Sequence, residues 1–298
     1  MPRTFKLVRL SALVLWTSSV FACSILNDLG GFADGKSDLR TDGAPDDGRH
    51  DVVDASDAAD EDAISSLADV DAASLTGCNA PGLVAEWKFD EGTGSVAADC
   101  TGHGYNATLM GGAAWAAGAN SGAAIDFPAG GAAYAEVLAA GGLRFSGPIT
   151  IVARVLLRTF SSKGRIAASS LYPNDLGLEL TVESTNGMGK TNYFSILFAH
   201  TQSDGGIAQT YTSTDSLPAS TWTNVAAVYD GTNIRIYKNG VLGEEQAVPP
   251  GTVRRVSSQP FYLGRRTDCC FMDGAIDDLR IYNRAVAVDE IALLNAAL

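Results

Sequence analysis

Histidine is scarce in this chain: it occurs three times in 298 residues, at His50, His103 and His200. A histidine-centred metal or acid–base site therefore has little material to build from. Neither Gly-x-Ser-x-Gly nor His-Glu-x-x-His occurs, which removes the nucleophile turn of a serine hydrolase and the helical zinc pair of a peptidase. There are five cysteines and no Cys-x-x-Cys pair, so a tetrahedral thiolate zinc site lacks its usual frame. Charged residues make up only 18% of the chain, and acids outnumber bases for a net charge of −13. That balance argues against nucleic-acid partners. The apolar run "LSALVLWTSSVFA" near the start is too short to cross a bilayer with ease.

That run has the length of a secretory signal instead. Arg3, Lys6 and Arg9 precede it and Cys23 follows it. "VFAC" resembles a bacterial lipobox, in which Cys23 becomes lipidated and anchors the protein to a membrane. Ser24 then resembles the sorting residue of outer-membrane lipoproteins. Val20 and Ala22 also satisfy ordinary signal peptidase, which leaves free secretion as the alternative. Residues 24–77 hold 14 acids against Lys36, Arg40 and Arg49, in an Asp/Ala-rich text with few aromatics. Such a segment cannot bury enough apolar surface to fold, and its like charges hold it extended, so it reads as a disordered tether. "DGKSD" and "DGAPDD" lack the full EF-hand spacing with its closing Glu.

From Cys78 the texture changes, and residues 78–298 read as one folded domain. Short alternating or apolar runs recur about every ten residues: "LVAEWKF", "AAIDF", "ITIVARVLL", "LGLELTV", "YFSILFAH", "TNVAAVY" and "AIDDLRIY" among them. Regular short strands with Gly, Asn, Asp and Pro between them indicate an all-β antiparallel sandwich or jelly roll. Asp230-Gly231 and Asn239-Gly240 are tight-turn pairs flanking one short strand. Only the end reads as helix, with Val288, Ile291, Ala292 and Leu294 at helical spacing.

Four blocks in order, "GLVAEWKFDEGTGSVAADCTGHGYNATL", "WTNVAAVYDGTNIRIYKNG", "FYLGRR" and "MDGAIDDLRIYNRAVAVDEIALL", resemble laminin G-like domains of the concanavalin A-like lectin and glucanase superfamily. The resemblance covers about 83–294. It implies a jelly roll of two antiparallel sheets whose first and last strands are neighbours. Three positions depart from the pattern. Ala287 stands where the family often has a capping Ser, and His103 and Tyr105 stand where it often has Asn.

The adjacent acids of "GAIDDLRIYNR" pose a problem. Strict alternation puts Asp277 with Leu279 and Ile281, and Asp278 with Ile276, Arg280 and Tyr282, so one acid points into the core and must be neutralised. If the chain's first and last strands adjoin, as the resemblance implies, Asp90 and Asp99 can approach them. Oxygen donors in that number suit a hard divalent cation. Members of the superfamily commonly hold a structural calcium ion, which implies Asp90 and Asp277 as leading ligands, with Asp99 and Asp278 beside them. The competing answer is an ion pair with an arginine such as Arg280.

Cys78, Cys100, Cys269 and Cys270 are an even set in a chain with an export signal, allowing three disulfide pairings. The superfamily includes glycoside hydrolases, yet its bacterial glucanase pattern Glu-x-Asp-x-x-Glu is missing. Glu179 and Glu183 share a strand face opposite Leu178, Leu180 and Val182, and are expected as exposed solvent-side acids. Trp115, Tyr134, Tyr172, Tyr193 and Tyr211 are candidates for stacking on sugar rings, whereas Trp87 and Trp222 read as core. The expectation is thus a surface-anchored, non-catalytic lectin-like module for extracellular glycan or protein. A glycan-active hydrolase and a purely structural envelope lipoprotein are the alternatives.

Overall fold

The computed structural model describes residues 74–298 except 76, 139, 145, 161–162, 186–189, 202–206, 215 and 251. The leader, Cys23 and the acidic segment up to residue 73 lie outside the described residues.

Two antiparallel sheets face each other. The first contains β1 (Leu83–Trp87), β4 (Ala114–Ala117), β5 (Ala123–Phe127), β7 (Ile149–Thr159), β12 (Thr223–Tyr229), β13 (Asn233–Lys238), β14 (Val241–Ala247) and β17 (Asp273–Tyr282). Its order is β14-β13-β12-β7-β17-β5-β4, with β1 also paired to β17. The second contains β2 (Val96–Ala97), β3 (Ala107–Met110), β6 (Tyr134–Val137), β8 (Gly164–Leu171), β9 (Asp175–Thr185), β10 (Thr191–Thr201), β11 (Ile207–Ser213), β15 (Val253–Arg254) and β16 (Phe261–Leu263). It runs β11-β10-β9-β8-β16-β6-β3-β2, with β15 on β10. The first and last strands are neighbours, with Glu86 opposite Arg280 and Trp87 opposite Leu279.

Alternation explains the core. Ile151, Ala153 and Val155 of β7 meet Leu178, Leu180 and Val182 of β9 and Phe194, Ile196 and Phe198 of β10 in one cluster. Trp87 lies within it at 0% exposure, its Nε1 donating to the Tyr105 carbonyl at 2.8 Å. Removing such a ring costs about 3–5 kcal/mol. Trp222 was expected in the core as well, but it sits half-buried just ahead of β12. The β12–β13–β14 meander turns where the Gly pairs stand, with Asn239 at φ +50° and Gly240 at φ +77°.

Strict alternation fails in β17, and the reason is a bulge. The pairing with β7 shifts register between Asp277 and Arg280, and Asp278 takes φ +48°. The extra residue lets Ile276 and Leu279 both face the core. Neither acid therefore points into the core: Asp277, at 5% exposure, turns instead toward the backbone of Ala119.

The C-terminal helix α1 (Val288–Ala297) covers the outer face of the first sheet. Ile291 and Leu294 pack on Val152, Ala226, Val228, Tyr237 and Tyr282. Leu75, ahead of Cys78, is 2% exposed in the same cluster. Two members of the expected stripe fall outside it: Val288 is 62% exposed and Ala292 is exposed. Ala287 cannot cap by side chain, an omission worth roughly 1 kcal/mol. Half of a capping box remains, because Glu290 accepts the Ala287 N–H at 2.9 Å while Arg284 grips Glu290 at 2.6 and 2.7 Å.

Candidate functional site: an acidic seam and a polar sheet face

The seam lies where β1, β17 and the β4–β5 turn meet. Buried Phe89 adopts φ +59°, an uncommon conformation for a bulky residue, and directs the chain to exposed Asp90. The turn closes by Gly118 N–H donating to the Gly122 carbonyl at 3.1 Å. Asp277 Oδ2 accepts the Ala119 N–H at 3.0 Å. Gly122 sits at φ +102°, and a Cβ there would collide with Asp90 Oδ1, so both acids abut one turn from two sides. Burial and the neighbouring Asp277 push Asp278 up to about 6. Burial also raises Asp277, the Ala119 N–H opposes that, and Asp90 adds to it.

Of the four carboxylates expected together, Asp90, Asp277 and Asp278 stand around the β4–β5 turn, but their oxygens do not all lie within 4.8 Å of one another. Asp99 is diverted. It accepts the N–H groups of Glu86, Thr101 and Tyr105 at 3.2, 3.1 and 3.2 Å and the Thr101 hydroxyl at 2.8 Å, and so organises the loop after β2. Arg280 makes no ion pair with the seam acids, and its charge offsets the rise at Asp278 only in part. It forms a buried pair with Glu86 at 3.0 Å, beside Cys100. Arg154, opposite Asp277 in the ladder, donates its Nε to Asn224 Oδ1 at 2.8 Å. Disulfides link Cys78 to Cys100 and Cys269 to Cys270. Cys78, Glu86 and Cys100 are the one group of three potential donors within 4.8 Å of one another among the described residues, and the bridge consumes both thiols.

The outer face of the second sheet holds the larger surprise. Glu179 and Glu183 do point away from the core, as their spacing required, but they are not solvated. Glu179 is 1% exposed; Arg165 Nε donates to it and Arg266 lies 3.5 Å from its other oxygen. Glu183 is held by Arg165 at 3.3 Å and by the Tyr193 hydroxyl at 2.8 Å. The partners come from distant text: Arg165 from β8, and Arg266 from the β16–β17 connection, which carries the Cys269–Cys270 bridge. Arg266 also grips Asp268 at 2.7 and 3.1 Å. No local pattern announces these arginines, so sequence reasoning missed them.

Aromatic groups line the same face. Arg265 stacks over Tyr134 at 3.6 Å and Tyr262 at 4.3 Å, and the Tyr262 hydroxyl donates to Glu136 at 3.0 Å. Tyr172, at the β8–β9 turn, is 57% exposed with the Arg266 guanidinium 5.7 Å from its ring. Tyr193 is 3% exposed and serves packing and the Glu183 bond. Trp115 stands on the first sheet, its Nε1 donating to the Gly94 carbonyl at 2.9 Å. The side chain of Tyr211 lies outside the described residues.

A two-sheet sandwich with one face covered by helix and the other carrying paired charges and tyrosines is a lectin-like domain. The chain belongs to the concanavalin A-like lectin/glucanases superfamily, whose laminin G-like family model matches residues 129–292. Among solved structures it is similar to domain 4 of an extracellular arabinanase from Geobacillus stearothermophilus in complex with arabinotriose. That match has 21% identity and a TM-score of 0.54, covering 72% of this chain and 98% of that one. It is also similar to the binding domain of botulinum neurotoxin serotype G (13% identity, TM-score 0.56, 72% of this chain and 51% of that one). The binding domain of botulinum neurotoxin DC in complex with SialylT matches at 13% identity and TM-score 0.54, over 73% of this chain and 52% of that one. This chain thus spans about half the length of the toxin binding domains. No curated protein sequence matches it.

Proposed function

We propose that this chain is a non-catalytic glycan-binding module, exported and held at the cell envelope through Cys23 on an acidic tether. The observation that carries this reading is the outer face of the second sheet, where exposed Tyr172 stands beside Arg266 within a polar surface already paired internally. Prepaired guanidiniums and carboxylates offer sugar hydroxyls fixed donors and acceptors without reorganisation, and a tyrosine face stacks on a pyranose. A hydrolytic pair is disfavoured because the Glu179 oxygens already face Arg165 and Arg266, leaving neither free to reach a leaving group. Binding to arabinotriose and SialylT by the similar structures adds support.

A divalent cation at the seam would have to draw the three carboxylates together, since their oxygens do not all lie within 4.8 Å of one another. Burial and Asp90 raise Asp277, burial and Asp277 raise Asp278, and none of the three acids is in an ion pair among the described residues; hard oxygens in need of a countercharge suit a hard cation. Calcium held there would pin the β1–β17 junction to the β4–β5 turn. It would have no part in bond cleavage. Export is supported by the leader, by Cys23 and by the two disulfides.

The test is a glycan array probed with the intact protein and with Tyr172→Ala and Arg266→Ala. Specific signals lost in both variants bear the reading out. Sugar release from any bound glycan by the wild type, or signals unchanged in both variants, overturns it.

A further inference from the structure

A second polar site lies at the rim of the second sheet, apart from the Glu179 face. Arg144, Arg254 and Arg255 line one small cleft with Ser169 and Ser257, floored by Leu143, Leu178 and Phe261. No carboxylate belongs to this lining. Asp175 is engaged with the neighbouring Ser258–Gln259 turn: its Oδ2 accepts the Ser258 N–H at 2.9 Å, the Ser258 hydroxyl at 2.5 Å and Gln259 Nε2 at 3.1 Å.

The cations are held in place by the fold. Arg254 lies in β15, opposite His200 of β10, at 3% exposure. The Arg255 N–H donates to the Ala199 carbonyl at 2.7 Å, which fixes the base of its side chain. Arg144 follows the 3-10 turn Ala140–Leu143 and is anchored by donating to the Ser258 carbonyl at 2.5 Å. Two features favour an anion in the cleft. Arg255 Nε is buried with no hydrogen-bond partner among the described residues, an arrangement native structures rarely tolerate. Burial also pushes Arg254 down to about 10. An anion in the cleft offsets both penalties, since a guanidinium fork matches a planar carboxylate or a sulfate oxygen pair.

We propose that this arginine cleft is a subsite for an anionic group, the carboxylate or sulfate of an acidic glycan. The proposal rests on the glycan-binding reading and deepens it by naming the ligand's charge. The Tyr172 ring stacks a sugar, and the arginine rim takes the acid.

The experiment is an NMR titration of the intact, 15N-labelled protein with inorganic sulfate, with glucuronate and with glucose, following the arginine Nε–H signals. Arg255→Gln and Arg144→Gln assign them; Arg144 is exposed, so its variant keeps the fold if Arg255→Gln does not. The expected result is a saturable shift of the Arg255 signal with sulfate and glucuronate but not glucose. Arg144→Gln weakens the apparent Kd at least about tenfold, equivalent to about 1.4 kcal/mol. A tighter response to sulfate than to glucuronate assigns a sulfated ligand, and the reverse a uronate. No saturable shift, or equal affinity in Arg144→Gln and wild type, overturns the proposal. An array positive only for neutral glycans would sink the cleft and leave the lectin reading standing, whereas anion binding with a blank array would do the opposite.

Discussion

Asp278→Asn isolates the stored repulsion of the seam. In the folded protein Asp278 titrates at about 6 against an ordinary 3.8, because burial and Asp277 both disfavour its charge. A raised acid binds its proton more tightly folded than unfolded, so between about pH 4 and 6 the native state carries more protons and stability falls as the pH rises. At neutral pH the full penalty is present. Two units at about 1.4 kcal/mol each give an upper bound near 3 kcal/mol. Solvent screening and the shared repulsion with Asp277 reduce it to about 2 kcal/mol. Asparagine abolishes the charge and tolerates φ +48° well. With excess chelator, the variant should therefore melt roughly 4–8 °C above wild type at neutral pH, and the two should converge near pH 4. With calcium the order should reverse, since the variant loses a ligand charge. The assay is calorimetry across pH in both conditions. A variant that melts below wild type in chelator at neutral pH, or a difference independent of pH, refutes the reasoning.

Calcium at about 100 times its Kd should stabilise the wild type by about 2.7 kcal/mol, a rise that thermal unfolding with and without chelator reads directly and that Asp277→Ala should remove. Gly122→Ala introduces a Cβ against Asp90 Oδ1 at φ +102°, so it should cost at least about 2 kcal/mol in denaturant unfolding and blunt the calcium response; wild-type behaviour in both would contradict the seam geometry. Arg280→Ala strands the fully buried Glu86 and should cost about 3–5 kcal/mol, whereas replacing both partners with apolar residues should recover most of it.

Much of the fold was legible because its signals are local. Asp-Gly and Asn-Gly pairs place turns, and period-two apolar text places strands, each without knowledge of the rest of the chain. The β17 bulge was illegible for the opposite reason. Nothing within "GAIDDLRIY" says that β7 will pair with a shifted register at Asp277 and Arg280, yet that shift moves both acids out of the core. The burial of Glu179 was likewise set from afar. Its strand correctly turns it away from Leu178 and Leu180, but its exposure depends on Arg165 and Arg266. A face reads as solvent-exposed in sequence whenever the loop that covers it is remote. Asp99 shows the limit of counting acids: three backbone N–H groups claim it, and no spacing rule foretells that.

One continuous segment, from Gly264 to Arg280, contributes to both regions. Its first part supplies Arg265 and Arg266 to the polar face and carries the Cys269–Cys270 bridge. Its second part is β17, which brings Asp277 and Asp278 to the seam and Arg280 to Glu86. Between them, Asp273 is tied to Arg158 at 2.7 Å, and Arg158 to Asp126 at 2.6 Å. The register of β17 is thus pinned at three places: the Arg158 pairs, the bulge, and the Arg280–Glu86 bond. A one-residue slip would reverse every face of the strand. It would swing Ile276 and Leu279 out of the core and break the ion pairs together. Charges that contribute little singly at a surface therefore matter here for specifying one register, and that register sets the start of the connection whose arginines hold Glu179 on the opposite sheet.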